Sequence, residues 1–194
     1  HEGLGPLVAG FVYAPYGDLD AVRKLVDDET AAILIEPVQG EGGIRIPPEG
    51  FLQGLRQLAD EHGLLLMFDE VQTGCGRTGQ WFGYQQFGVK PDIVTMAKGV
   101  ASGYAAISCT VTTEAVFDMF KDDVDDPLSY FRDISTFGGC TAGPAAALEN
   151  LRILEDEQLL DNATAMGARL MDGLRALGDK HAVVGNVRGL GLFG

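Results

Sequence analysis

Two ionisable side chains lie at the ends of apolar runs of this chain. Asp69 comes after LLLMF, residues 64–68, and Lys98 closely follows DIVTM, residues 92–96. A carboxylate that closes a buried strand is costly unless a charged group compensates it. A lysine at the head of an apolar strand can be partly desolvated, which lowers its pKa and makes the amine nucleophilic. Taken singly, Asp69 could instead cap a turn and Lys98 could be a surface residue.

The charged partner of Asp69 has two candidate chemistries. A magnesium ion with a nucleotide would make the run a Walker B strand, which requires an upstream phosphate loop of the G-x-x-x-x-G-K-[ST] type. These residues contain no such loop. The other candidate is the pyridine nitrogen of pyridoxal phosphate, which an aspartate keeps protonated so that the ring accepts electrons. A lysine that forms a Schiff base with the same cofactor would also explain Lys98.

Helical and strand patterns alternate along the chain. Asp18 is suited to cap the first helix, and Gly63 is suited to end the second. Short apolar strands between helices predict an α/β fold with a mostly parallel sheet flanked by helices. The predicted helices cover residues 18–27, 48–62, 113–120, 143–155 and 157–177. The predicted strands cover residues 31–37, 64–68, 92–96, 105–111 and the closing AVVGNVRG segment, 182–189.

In a sheet of this kind, ligands bind beyond the carboxyl ends of the strands. The residues at those ends are Glu36, Asp69 with Glu70, and Lys98, and we expect them to converge on one crevice. Glycine-rich phrases follow as well: PVQGEGG, TGCGRTG and STFGG. In such phrases the backbone can approach a ligand closely. Thr136, before two glycines, could offer a hydroxyl and amide donors to a phosphate.

Composition narrows the class of protein. The chain has 194 residues, a net charge of -14 and a predicted pI of about 4.4, which argues against nucleic acid or anionic membranes as partners. Its three cysteines show neither metal-ligand spacing nor a disulfide framework, so we expect no metal site and a reducing cytosol. No apolar run is long enough to span a membrane. The acidic phrase KDDVDDP, residues 121–127, is predicted to be a solvated loop.

Four phrases together closely resemble the class III aminotransferases, a branch of the fold-type-I enzymes that use pyridoxal phosphate. They are ILIEPVQGEGG (33–43), LLMFDEVQTGCGRTG (65–79), DIVTMAKGVASGY (92–104) and STFGGCTAGPAAAL (135–148). The order is that of the family, and the resemblance runs through essentially the whole chain. It implies that the chain is an incomplete part of a fold-type-I large domain.

The resemblance implies a role for each matching residue around the cofactor. Lys98 would form the Schiff base and then move the proton between the substrate carbon and the cofactor. Asp69 would pair with the pyridine nitrogen, Val71 would pack on a ring face, and Gln72 would reach the phenolic oxygen. Thr136 would contact the cofactor phosphate across the interface of a homodimer.

Further from the cofactor, the resemblance implies three more roles. Glu41 matches the family's gating glutamate, which pairs with an arginine that admits the second substrate's carboxylate. Glu36 would support the Asp69 region. Arg77 would order its own loop, with contact to a partner subunit as the alternative.

The implied reaction transfers an amino group from an amine or omega-amino acid to a 2-oxo acid such as pyruvate. The phrases SGYAAISCTVTTEAVFDMF and YFRDISTFGGC resemble those of members that use pyruvate as acceptor and an omega-amine such as taurine as donor. A decarboxylase or aminomutase of the same family is one alternative. A remnant that binds no cofactor and serves as an interaction domain is another.

The resemblance also suggests how the chain is divided. Residues 1–150 would belong to the cofactor-binding large domain, and residues 151–194 would supply connecting helices and the start of a C-terminal small domain. The chain has no initiator methionine and ends in RGLGLFG, so we expect it to be an internal fragment. The family's upstream phosphate loop and its gating arginine lie outside it. We therefore expect the 194 residues alone to bind cofactor poorly and to be inactive.

Overall fold

The computed structural model describes residues 3–121, 130–131 and 133–194. Apart from Lys121, the acidic loop predicted at 121–127 lies outside the described residues. The helices are α1 (Leu19–Leu25), α2 (Phe51–His62), α3 (Glu114–Asp118), α4 (Ala142–Asp156) and α5 (Leu159–Lys180). The strands are β1 (Ala32–Ile35), β2 (Leu65–Asp69), β3 (Ile93–Met96) and β4 (Cys109–Thr112). Two 3-10 turns cover Gly83–Phe87 and Lys98–Val100.

The four strands form one sheet in the order β1-β2-β3-β4. The first three strands run parallel, and β4 pairs with β3 in the antiparallel direction. The prediction of a mostly parallel sheet flanked by helices is therefore confirmed. A parallel pair needs a crossover between its strands. Helix α2 supplies the crossover between β1 and β2, whereas β2 reaches β3 through a long loop and a 3-10 turn.

The core lies between α2 and the sheet. Leu52 and Leu55 of α2 pack in one cluster with Leu66 and Phe68 of β2, and none of the four is more than 1% exposed. Leu66 and Phe68 are two residues apart, so they point to the same face of the strand. Burying each of these side chains contributes about 1.5–3 kcal/mol relative to leaving it in water. This packing holds β2 against the helix and fixes which of its side chains point outward.

The helix ends follow the capping chemistry expected from the sequence. The carboxylate of Asp18 accepts a hydrogen bond of 2.9 Å from the Ala21 amide at the start of α1. Gly63 ends α2 in the left-handed region, at φ 66°. Helix α2 starts at Phe51 rather than at residue 48, because Gly50 before it takes a left-handed φ of 78° that is incompatible with helix.

The last predicted strand is wrong. Residues 182–189 form no strand, and Val183 is 92% exposed. A strand needs a neighbour for its backbone hydrogen bonds, and no described strand lies beside this segment. The nearest pairing is one isolated bridge between Leu190 and Phe193. Strand β4 is also shorter than residues 105–111 suggested and extends one residue further.

A buried carboxylate organises the β2 loop, which we define as residues 70–84. Glu70 follows Asp69 directly but turns inward and is only 1% exposed. Its two oxygens accept hydrogen bonds of 2.8 Å from the backbone amides of Gly83 and Tyr84, and one oxygen accepts another from the Thr73 hydroxyl. Burial raises the pKa of Glu70, and these hydrogen bonds oppose that rise. The carboxylate thus ties the end of the β2 loop to its beginning.

Replacing Glu70 with glutamine should loosen this loop. Both oxygens of Glu70 accept from backbone amides, so the glutamine NH₂ group would face a donor. We expect the Glu70→Gln change to lower the free energy of unfolding by about 1–3 kcal/mol. Urea unfolding measures the loss, and hydrogen–deuterium exchange should become faster across residues 70–84.

Glu61→Gln is the matched control. The Glu61 side chain is 58% exposed and meets Arg23 at 3.5 Å, so its loss should change stability by less than about 1 kcal/mol. Equal effects of the two substitutions would contradict the role assigned to Glu70.

Candidate active site

The strand register brings the predicted residues to one edge of the sheet. Ile35 pairs with Phe68, so Glu36 follows at the level of Asp69. Asp69 pairs in turn with Thr95, and Lys98 lies three residues further along the chain. Glu36, Asp69 and Lys98 thus follow the carboxyl ends of three neighbouring strands, whereas Glu70 turns inward and does not share the crevice expected for it. Within it, Asp69 Oδ1 accepts a hydrogen bond of 2.9 Å from the Val71 amide, which holds the carboxylate over the first turn of the β2 loop.

Lys98 opens onto a cavity of about 520 Å³. A volume of this size suits a small ligand or cofactor. The β2 loop contributes Val71, Gln72, Gly74, Cys75, Gly76 and Arg77 to its wall. The lysine loop, which we define as residues 97–102, contributes Lys98, Gly99 and Ser102. Ile44, the ends of α4 and α5, and the last three residues complete the lining.

Not every predicted site residue lines this cavity. Lys98, Val71, Gln72 and Arg77 do, whereas Asp69, Glu36, Glu41 and Thr136 do not. The Arg77 side chain is exposed, and its backbone carbonyl accepts a hydrogen bond of 3.0 Å from the Leu192 amide. The C-terminal residues therefore fold back onto the β2 loop.

The Lys98 side chain is exposed. The described residues therefore do not show the burial that the expected partial desolvation of Lys98 would require. The Lys98 backbone has a left-handed φ of 42°, a region that a residue with a side chain adopts at a cost of roughly 1–2 kcal/mol. Surrounding contacts must therefore hold it there.

Left-handed residues cluster around the cavity. Among the described residues, five that are not glycine have a positive φ, and four of them line the cavity. The four are Ile44, Cys75, Lys98 and Ser102, with φ between 42° and 57°. Strained backbone of this kind concentrates at ligand and catalytic sites, where neighbouring structure over-determines the conformation. Nothing in the sequence marked Ile44, Cys75 or Ser102, because backbone strain leaves no simple pattern in residue type.

Glu36 acts on the site through the loop that follows β1. One of its carboxylate oxygens accepts a hydrogen bond of 2.9 Å from the Gly40 amide. Gly40 packs so tightly on Gln72 that an added Cβ would lie 2.6 Å from the Gln72 amide nitrogen. A larger residue at this position would push the end of the Gln72 side chain aside, and the hydrogen bond to Glu36 holds the Gly40 backbone in place. Glu41 is exposed in the same loop, and Arg188 donates hydrogen bonds to the carbonyls just beyond it.

Thr136 lies on a different, exposed surface. Two residues close to it in sequence, Ile134 and Phe137, are 85% and 83% exposed. Large apolar side chains that are this exposed over one region are typical of an interaction surface. The described part of the chain does not bring Thr136 to the Lys98 cavity.

Cys75 lines the cavity but is a poor nucleophile at neutral pH. Burial is the main reason that the pKa of its thiol is raised to about 11, and the neighbouring Cys109 and Glu70 add to the effect. The thiol packs on the lysine loop, since a Cβ on Gly99 would lie 2.9 Å from the Cys75 Cβ. The Cys75 side chain therefore fills space between the two loops.

The pH dependence of Cys75 alkylation tests this. With a pKa of about 11, the reactive thiolate grows about tenfold per pH unit below that value. We expect the rate of modification by iodoacetamide in the native protein to rise about tenfold per unit from pH 8 to pH 10. Mass spectrometry of the Cys75 peptide measures this rate, with free glutathione in the same solution as the reference. A rate that levels off near pH 9 would contradict the raised pKa.

The described part of the chain shows neither a metal-binding cluster nor a membrane-spanning helix. Residues 3–121, 130–131 and 133–194 contain no cluster of three or more metal-ligating side chains. None of their helices is both long and apolar enough to cross a membrane.

Known proteins resemble this chain along its length. The family model for aminotransferase class-III matches residues 1–194. A hypotaurine/taurine–pyruvate aminotransferase from Paracoccus denitrificans is 55% identical, covering 97% of this chain and 45% of that protein. A taurine–pyruvate aminotransferase from Bilophila wadsworthia is 61% identical over 90% of this chain and 38% of its own length.

Solved structures show the same fold. The crystal structure of an (S)-enantioselective omega-transaminase from Thermomicrobium roseum superposes with a TM-score of 0.87 at 37% identity. It covers 98% of this chain, and the match takes in 46% of that structure. The chain thus spans less than half the length of the relatives it matches here. With a family match over every residue, this chain belongs to the class-III aminotransferases.

Proposed function

We propose that the whole protein uses pyridoxal phosphate to transfer an amino group from an amine or omega-amino acid to a 2-oxo acid. The observation that carries this proposal is the position of Lys98. It stands on a strained loop at the carboxyl end of β3 and lines a cavity with Val71 and Gln72. Asp69 lies at the end of the neighbouring strand. Membership of the class-III family supports the same reading.

The residues present suit this cofactor. The cavity has the volume of a cofactor site, and the exposed Lys98 amine has the room to bond to a carbonyl group. We assign the pyridine nitrogen to Asp69, a ring face to Val71 and the phenolic oxygen to Gln72. When bound, pyridoxal phosphate supplies a carbonyl for covalent attachment and a ring that withdraws electrons from the substrate.

The chain's own residues then have distinct tasks. The free amine of Lys98 would be the base that takes a proton from the substrate carbon, holds it on Nζ and passes it on to the cofactor. Asp69 holds a negative charge in a fixed place, since the Val71 amide already binds one of its oxygens. Glu36 acts at a distance by holding Gly40 under Gln72. We keep Glu41 as the gating residue, because it is exposed on the loop beside the cavity residue Ile44.

Pyruvate is the proposed acceptor, and an omega-amine such as taurine is the proposed donor. The two curated relatives named above carry taurine and pyruvate in their names and are 55% and 61% identical to this chain. A decarboxylase or aminomutase of the same family would use the same Lys98 and Asp69, so product analysis separates these activities. A remnant that binds no cofactor would show none of these activities.

We further propose a cytoplasmic homodimer. The exposed apolar surface that holds Ile134 and Phe137 supports an interface, across which Thr136 would contact the phosphate bound by the partner subunit. The three cysteines are free of disulfides, which suits a reducing compartment. Residues 1–150 would form part of the large domain, and residues 151–194 would lead into the small one.

Lys98→Ala should abolish transamination by the whole protein. Removing the proposed base alone should lower kcat by about 10²–10⁴-fold. The measurement is alanine formation from pyruvate with taurine as donor, at saturating pyridoxal phosphate. Lys90→Ala is the control, since Lys90 is also exposed and precedes β3 outside the cavity.

Two results would overturn the proposal. One is an unchanged kcat in the Lys98→Ala variant, and the other is release of carbon dioxide or an isomer in place of alanine. The 194 residues alone should give little or no turnover under the same conditions. Full turnover by this chain alone would contradict that expectation.

A further inference from the structure

The lysine loop adopts a conformation that its own sequence does not favour. Within five residues, Lys98 and Ser102 both take a left-handed φ, of 42° and 49°. Each of these costs free energy relative to an ordinary backbone conformation. The loop contains only one 3-10 turn, Lys98–Val100, so regular structure contributes little to hold it. Its shape must come from contacts made by other parts of the chain.

Asn150 makes those contacts. Its amide nitrogen donates hydrogen bonds of 2.8 Å to the Gly99 carbonyl and 3.0 Å to the Val100 carbonyl. Its amide oxygen accepts a hydrogen bond of 2.7 Å from the Ser102 hydroxyl. Both ends of one side chain thus bind the segment that follows Lys98.

Asn150 can do this because α4 is itself fixed in place. Asn150 lies on the same face of the helix as Gly143 and Ala147, both of which are buried. Gly143 packs against residues 106 and 107, where an added Cβ would lie 3.4 Å from the Ala106 carbonyl oxygen. Leu154, one turn beyond Asn150, lines the same cavity as Lys98. The helix therefore presents the Asn150 amide to the lysine loop from a rigid base.

The chemistry of the contact suits asparagine. Two carbonyl oxygens need a donor and one hydroxyl needs an acceptor, and a primary amide offers both on a short side chain. An aspartate of the same shape would turn an acceptor toward two carbonyls. An alanine would leave all three groups without this partner.

We propose that Asn150 is the positioning residue for Lys98. By holding the carbonyls of Gly99 and Val100, it keeps the backbone of Lys98 in the orientation that presents its amine to the cavity. This inference rests on the proposed function of Lys98. Asn150 does not line the cavity, so it acts through the lysine loop alone.

The test uses the whole protein with bound pyridoxal phosphate and compares Asn150→Ala with Gln53→Ala. Gln53 is a matched control, because its amide also donates to a backbone carbonyl, that of Phe87, and neither residue lines the cavity. We expect Asn150→Ala to lower kcat by about ten- to a hundredfold, as misplacement of a reacting group does. The KM for taurine should change little, and Gln53→Ala should leave kcat unchanged.

Asn150→Asp adds a second measurement, the pH dependence of kcat, which would not change if Asn150 only stabilised the fold. Its carboxylate repels the two carbonyls at neutral pH, whereas its protonated form can donate one hydrogen bond. Relative to wild type, kcat of this variant should therefore rise as the pH is lowered. In the protein without cofactor, hydrogen–deuterium exchange across residues 97–104 should speed up in Asn150→Ala and not in Gln53→Ala.

The outcomes separate the two proposals. A wild-type kcat in Asn150→Ala, with Lys98→Ala inactive, would overturn the role of Asn150 and leave the proposed function standing. An inactive wild-type protein would overturn both. If Asn150→Ala fails to fold, Ser102→Ala removes only the hydroxyl contact. That variant should lower kcat by about two- to fivefold, in line with the loss of one hydrogen bond, and an unchanged kcat would contradict the proposal.

Discussion

The parallel pairing of β1, β2 and β3 is the constraint on which the site depends. Ile35 pairs with Phe68 and Asp69 with Thr95, so three strand ends meet at one edge. A slip of one residue would exchange the two faces of a strand and replace Asp69 with Phe68 at that edge. Such a slip is prevented because Phe68 is fully buried under α2. The packing of the core therefore fixes the position of Asp69 at the edge of the sheet.

Beyond the strand ends, the loops are shaped by polar side chains rather than by local preference. Glu70 closes the β2 loop by accepting from two amides and a hydroxyl, and Asn150 holds the lysine loop by three hydrogen bonds. Four residues around the cavity adopt left-handed backbone without being glycine. The hydrogen bonds made by Glu70 and Asn150 offset part of the free-energy cost of these backbone conformations. Lys98 consequently lies on a loop whose conformation is held by contacts from other parts of the chain.

The sequence predicted what depends on local pattern. Short apolar runs correctly indicated β1, β2 and β3, and the caps at Asp18 and Gly63 were confirmed, because each depends on residues a few positions apart. The predicted strand at 182–189 failed because a strand also needs a neighbour, which no periodicity can show. The antiparallel direction of β4 could not be predicted from the sequence either, since the direction of a strand is set by its tertiary pairing.

The polar contacts escaped prediction for the same reason. Glu70 reaches partners 13 and 14 residues away, and Asn150 reaches partners 48 to 51 residues away. From its position next to Asp69, Glu70 was expected at the ligand edge, but it turns inward to the β2 loop. Asn150 stands in an ordinary helix and had no local signal. The placement of Lys98, Asp69 and Glu36 at one edge was predictable, because it follows from where strands end.

Covalent trapping shows directly whether Lys98 binds the cofactor, as we propose. The whole protein is purified with pyridoxal phosphate, treated with borohydride to make any carbon–nitrogen link to a lysine permanent, and then digested for mass spectrometry. We expect the added mass of the cofactor on Lys98, and we expect it to be lost in Lys98→Ala. Label on another lysine such as Lys90, or no label at all, would contradict it.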